Sequence, residues 1–165
     1  MAIQTADLIS VLSEKETLIG SLVLLLEEER KTIVEMDMAN LEQVDDRKRQ
    51  LLVQLEDSNN RFRQIMRRVA GDMKLAEGAN LSSLLPQVDP SSRSELKRLQ
   101  GKVLQLGGKL ETALGYNRDL LQGSLCMVNR SLDFFGRMFK RSNTYGQAGS
   151  MVSSPADLRL VCKEI

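Results

Sequence analysis

The chain has 165 residues, enough for one domain with a sizeable core, and its 42% hydrophobic content can fill one. Its 23 Lys and Arg against 22 Asp and Glu leave a formal net charge of +1, too little to draw in nucleic acid or an anionic membrane surface from a distance. Histidine is absent, which removes Ser-His and Cys-His nucleophile pairs and His-based zinc sites, so no catalytic residue, metal or cofactor is expected.

The amino terminus, Met1 to Asp7, has no basic segment feeding an apolar one and does not read as a secretion signal, so a cytoplasmic location is expected. A first helix is predicted over about residues 5–36 from Leu8, Leu12, Ile19, Leu22, Leu26, Ile33 and Met36, which keep a four-three alternation broken by Lys15 and Glu29. Val11, Leu18 and Leu25 widen this seam, as a helix packed on two neighbours needs. The longest apolar stretch, Leu18 to Leu26, contains Gly20 and Ser21 and falls far short of the ~20 residues that span a bilayer. Glu27-Glu28-Glu29 and Asp45-Asp46 are expected to be solvated faces, because neighbouring helical residues point about 100° apart and do not converge on one ion.

A second helix is predicted over 38–70, with Leu41, Val44, Leu51, Leu55, Phe62, Ile65 and Val69 on its seam and Lys48 and Ser58 interrupting it. The seam slips in phase between Met36 and Leu41, and Asp37 is placed to cap a helix starting at Met38. Arg61, Arg63, Arg67 and Arg68 cluster on this helix and are read as solubilising charge in preference to a nucleic-acid surface. From Gly71 to Ser92 the periodicity fails among Gly71, Gly78, Pro86 and Pro90, which marks a long connection. Its Leu81, Leu84 and Leu85 are expected to lie back on the bundle, with one helical turn before Pro86.

A third helix over 92–140 follows Leu96, Leu99, Val103, Leu106, Leu110, Leu114, Leu121, Leu125, Val128, Leu132, Phe135 and Phe139, with a shift of phase near Leu114. Ser94-Glu95-Leu96-Lys97 has the Ser-x-x-Lys spelling of some acyl enzymes, but no partner motif accompanies it. Gly101, Gly108 and Gly115 recur opposite the seam, either as a tolerated outer face or as a smooth strip for another helix. The helix ends in aromatic and methionine side chains, and Leu125, Val128, Leu132, Phe134, Phe135, Met138 and Phe139 form a candidate docking surface, since aromatic anchors dominate binding hot spots. Phe135 and Phe139 lie on the seam and are expected to contribute to the core; Phe134 lies one position off it.

After Arg141 the composition turns to Ser, Asn, Thr, Gly and Gln, so residues 142–165 are expected to form a flexible tail. Ser154, Pro155 and Asp157 encode a helix start there, and Leu158, Val161 and Ile165 would give a short terminal helix one apolar face, suited to covering the aromatic cluster. Cys126 and Cys162 are too few and too distant for a disulfide framework. The expected fold is all-α, an antiparallel bundle of three long helices over residues 1–141 with the tail appended.

Asn117-Arg118-Asp119-Leu120-Leu121-Gln122-Gly123-Ser124-Leu125 resembles the Asn-x-x-Leu-Leu-x-x-Ser-Leu stretch of FlgN-type flagellar export chaperones, and Tyr145-Gly146-Gln147-Ala148-Gly149 is similar to that family's Tyr-Gly-x-x-Gly ending. The resemblance implies a small cytoplasmic helical chaperone that binds the C-terminal segments of hook-filament junction proteins and delivers them to the flagellar type III export gate. On this chain it implies client contact at the end of the third helix and gate contact at Tyr145, with Gly146 and Gly149. The alternatives left open are a self-associating structural bundle and the sister chaperone for the filament cap protein.

Overall fold

A computed structural model describes residues 2–75 and 79–142, with side chains from Thr5 to Leu75 and from Ala79 to Met138. Among these residues every regular element is helical: α1 (Ala2–Glu35), α2 (Met38–Asp72), α3 (Leu81–Leu84), a 3-10 turn (Leu85–Gln87) and α4 (Pro90–Ser142). No helix is long and apolar enough to cross a membrane, and no group of three or more His, Cys, Asp or Glu is placed to hold a metal ion among the described residues. The chain forms two units, Met1–Asn117 and Arg118–Ile165. The expected tail helix with Leu158, Val161 and Ile165 lies outside the described residues.

The two long helices of the first unit end in the same way. Met36 and Lys74 take left-handed backbones, φ 54 and φ 52, a conformation that favours glycine. At the end of α1 the Asp37 N–H donates to Thr32 O at 3.0 Å and the Met36 N–H to Ile33 O at 3.2 Å. At the end of α2, Leu75 N–H donates to Ala70 O at 2.9 Å and Lys74 N–H to Gly71 O at 3.1 Å. Both are Schellman closures, which satisfy the last carbonyls of a helix. Asp37 then starts α2 by accepting from the Asn40 N–H at 3.1 Å, so α1 and α2 are joined by only two residues.

Directions follow from the pairs between helices. Glu28 and Glu29 of α1 meet Arg47 and Lys48 of α2, whereas Glu14 meets Arg61, so α2 runs back along α1. Over its first part α4 runs the same way as α1: Glu16 meets Lys102 at 3.0 Å, and Leu26 and Glu29 meet Asn117. The main core lies where α1 begins, α2 ends and α4 begins, and joins Leu8 and Leu12 to Met66, Val69, Leu96 and Leu99. The connection seals it. Asn80 caps α3 through the Ser83 N–H at 2.9 Å, and Leu81, Leu84, Leu85 and Val88 are all buried. Each fully buried leucine contributes ~1.5–3 kcal/mol, so the connection stabilises the unit as a helix would. On the outer side of α4 a Cβ added at Gly101, Gly108 or Gly115 would meet nothing within 4 Å, so this strip is open.

At the far end of the unit the three long helices share a polar junction. Glu29 is only 4% exposed, and the expectation of a solvated face fails for it while holding for Glu27 and Glu28. Its carboxylate accepts from Lys48 Nζ at 2.5 Å and from Asn117 Nδ2 at 2.8 Å, and the same Asn117 amide donates to Leu26 O at 2.8 Å. Lys48 also meets Asp45 at 3.0 Å. Desolvation pushes the Lys48 ammonium down, but hydrogen bonds and charge from Glu29 and Asp45 outweigh it and leave the group above its ordinary value. The polar interruptions of the two seams, Glu29 and Lys48, therefore meet each other.

A removed partner leaves the rest of the junction buried and unsatisfied, which costs about 1–3 kcal/mol for a neutral donor and more for a charge. Asn117→Ala should lower the unfolding free energy by about 2 kcal/mol in urea titrations, and Lys48→Met by at least as much. Glu29→Met with Lys48→Met should recover part of the loss; additive losses would mean the two groups do not interact.

Asp89 caps α4, accepting from the Ser92 N–H at 3.0 Å and the Ser91 hydroxyl at 2.6 Å. The Ser91 hydroxyl first, then the Ser92 N–H, lower its pKa to about 2. A carboxylate depressed below its unfolded value of ~3.9 stabilises the fold above that pH, and the contribution is lost as pH falls through the folded value. The gap in urea midpoint between the parent protein and Asp89→Ala should stay constant from neutral pH to ~4 and close between there and about 2. A gap unchanged at the acid end would remove the carboxylate from the cap's energetics.

Candidate functional site

The second unit, from Arg118 onward, is described through the last stretch of α4. None of its described side chains, Arg118 to Met138, is buried. Leu121, Leu125, Val128, Leu132 and Phe135 keep the four-three spacing of a core seam, yet all are exposed. Phe134 is 63% exposed and Phe135 is 50% exposed, so Phe135 is not the core residue that its seam position implied. The two rings stand edge to face with centroids 5.7 Å apart and planes at 72°, a favourable arrangement for aromatic pairs.

A second apolar row, Met127, Phe134 and Met138, is exposed beside the first. At about 100° per residue the two rows are separated by Leu120, Ser124 and Ser131, none of them charged, so roughly half of the helix circumference carries no charge. The Ser131 hydroxyl donates to Met127 O at 3.0 Å and so makes little demand on a partner. Arg118, Asp119, Arg130, Asp133 and Arg137 occupy the opposite arc. A two-stranded coiled coil needs only the narrower seam, so this arc suits a partner that wraps around the helix or packs on it from two sides. Exposed methionines add adaptable contact area.

The structure thus brings Leu125, Val128, Leu132, Phe134, Phe135 and Met138 onto one uncharged arc. Leu121 and Met127 belong to the same arc and were absent from the sequence-based docking set, although their spacing was visible. The Phe139 side chain, Tyr145, Gly146 and Gly149 lie outside the described residues.

The family model described as FlgN protein matches residues 1–153, and the chain belongs to the FlgN family. Comparison with curated proteins and with solved structures finds no match.

Exposed rings outside a core contribute little to stability, and substitutions of this kind stay within ~0.5 kcal/mol. Phe134→Ala and Phe135→Ala should each leave the urea midpoint nearly unchanged, whereas Leu96→Ala, in the fully buried cluster, should cost ~2–5 kcal/mol. A loss of core size for Phe135→Ala would mean that its ring packs in solution.

Proposed function

We propose that this FlgN-family chain is a cytoplasmic flagellar type III export chaperone that binds the C-terminal segments of hook-filament junction proteins, keeps them unassembled and delivers them to the export gate. Family membership implies a flagellar export chaperone in general. The observation that carries the finer reading is the uncharged arc at the end of α4, with Leu125, Val128, Leu132, Phe134, Phe135 and Met138 exposed. Such an arc fits the apolar face of a client segment that folds on binding, and it requires no chemistry from the protein. Phe139 belongs to the proposed client contact from its place in the sequence, and Tyr145 with Gly146 and Gly149 is the proposed gate contact. The tyrosine ring supplies apolar area and a hydroxyl on one side chain, a combination suited to a transient contact.

Two titrations test capture and delivery separately, one with a junction protein's C-terminal segment and one with the cytoplasmic part of the export gate. Phe134→Ala should weaken client binding by ~1 kcal/mol or more. Tyr145→Ala should bind the client as the parent does and lose affinity for the gate. Client loss with gate affinity kept in Tyr145→Ala would overturn the assignment. A concentration-independent oligomer in light scattering, with no client binding, would point to a self-associating structural bundle.

A further inference from the structure

On the first unit a groove of about 650 Å³ opens between α1, α2, the segment before α3 and α4. Its size falls in the ~300–1,000 Å³ range of ligand sites, large enough for a few side chains and too small for a folded domain. Its floor reaches the core: Leu12, Met66 and Leu81 are buried there, and Phe62 is half-buried beside them. Leu104 stands at the lip, 69% exposed, an apolar side chain that no described neighbour covers.

Among the described residues the charges lining this groove have one sign: Lys15, Arg63 and Arg67 line it, and no described carboxylate does. Elsewhere on α2, Arg47, Lys48, Arg49 and Arg61 each meet a carboxylate. Among the described residues Arg63 and Arg67 meet none. The Lys15 ammonium lies over the Phe62 ring, 4.9 Å from its centroid. Burial first, and then the charge of Arg63, lower its pKa. Arg63 and Arg67 are separated by one helical turn, so their guanidinium groups can meet two carboxylates that are themselves one turn apart on a partner helix.

We propose that this groove is a docking site for an acidic amphipathic helix of a protein partner, whose apolar row covers Phe62, Met66 and Leu104 while two carboxylates one turn apart pair with Arg63 and Arg67. The apolar floor argues against a polar polyanion, for which the buried leucines and methionine offer nothing. Charge without aromatic stacking platforms argues the same way against single-stranded nucleic acid, because among the described residues Phe62 is the one aromatic ring lining the groove and Lys15 already covers it. The site does not depend on the client reading of the α4 arc and involves none of its residues.

The test uses the full chain and three fluorescein-labelled probes in anisotropy titrations: a helix-stapled peptide of four turns, ~14 residues, with a leucine row and two glutamates one turn apart; the same peptide with lysines for glutamates; and a mixed-sequence single-stranded RNA. The glutamate peptide should bind saturably and more tightly than the lysine peptide. Arg63→Gln with Arg67→Gln should weaken it about tenfold, and Leu104→Gln should weaken it as well. All three side chains are exposed, so circular dichroism should show the parent's midpoint. Phe134→Ala should leave this binding unchanged, which separates the groove from the α4 arc. No saturable binding, equal binding of the lysine peptide, preferential binding of RNA, or an unchanged affinity in the double arginine variant would each overturn the proposal.

Discussion

The buried junction of Glu29, Lys48 and Asn117 is the constraint on which the arrangement of the long helices depends. Apolar seams with four-three spacing pack nearly as well after a slide of one heptad, because leucine meets leucine again. A charge in the middle of a seam removes that freedom. Glu29 has one position opposite Lys48 and one opposite Asn117, and any other register leaves a carboxylate in a dry interior. The net gain from such a pair is small, because desolvation offsets most of the attraction; its effect is on which alignment survives. The main core cluster lies at the other end of the unit, and Leu22, Leu26, Ile33 and Val44 are buried on the stretches that carry Glu29 and Lys48, so apolar burial holds the helices along their length and the polar contact sets their alignment.

This division of labour explains what was legible in the sequence. Helix positions followed from periodicity, and the break at Met36 and Asp37 from a phase slip plus a capping residue. Leu81, Leu84 and Leu85 announced their burial because three leucines in a polar connection have few other uses. Lys15, Glu29, Lys48 and Ser58 were visible as interruptions of the seams, but a one-dimensional pattern does not say which interruption faces which. Glu29 looked solvated because it closes a run of three glutamates, and only the direction in which a helix presents each residue separates it from Glu27 and Glu28. Asn117 drew notice as part of a family motif; its amide's contacts with α1 are a tertiary fact. The groove lined by Lys15, Arg63 and Arg67 was equally out of reach, because its walls come from segments far apart in sequence.

The seam of α4 shows the limit of periodicity most clearly. Leu96 and Leu99 are fully buried, while Leu125, Leu132 and Phe135, on the same spacing, are exposed. Periodicity states that a face prefers to be covered; it does not state by what. In the first half α1 and the connection provide the cover. None of the side chains from Arg118 to Met138 is buried, and their apolar arc is broader than one helix partner needs.

A chaperone that must capture a segment and later release it benefits from keeping these two kinds of burial apart. When a client covers side chains that also hold the fold together, release exposes the core and the cost of letting go includes partial unfolding. Here the exposed arc and the buried cluster share no residue. On the proposed client reading, binding on the arc adds its own apolar burial and release returns only that amount. In that proposal the affinity is set by Phe134, Phe135 and the methionines, which are exposed, and not by Leu8, Leu96 and Glu29, which are buried.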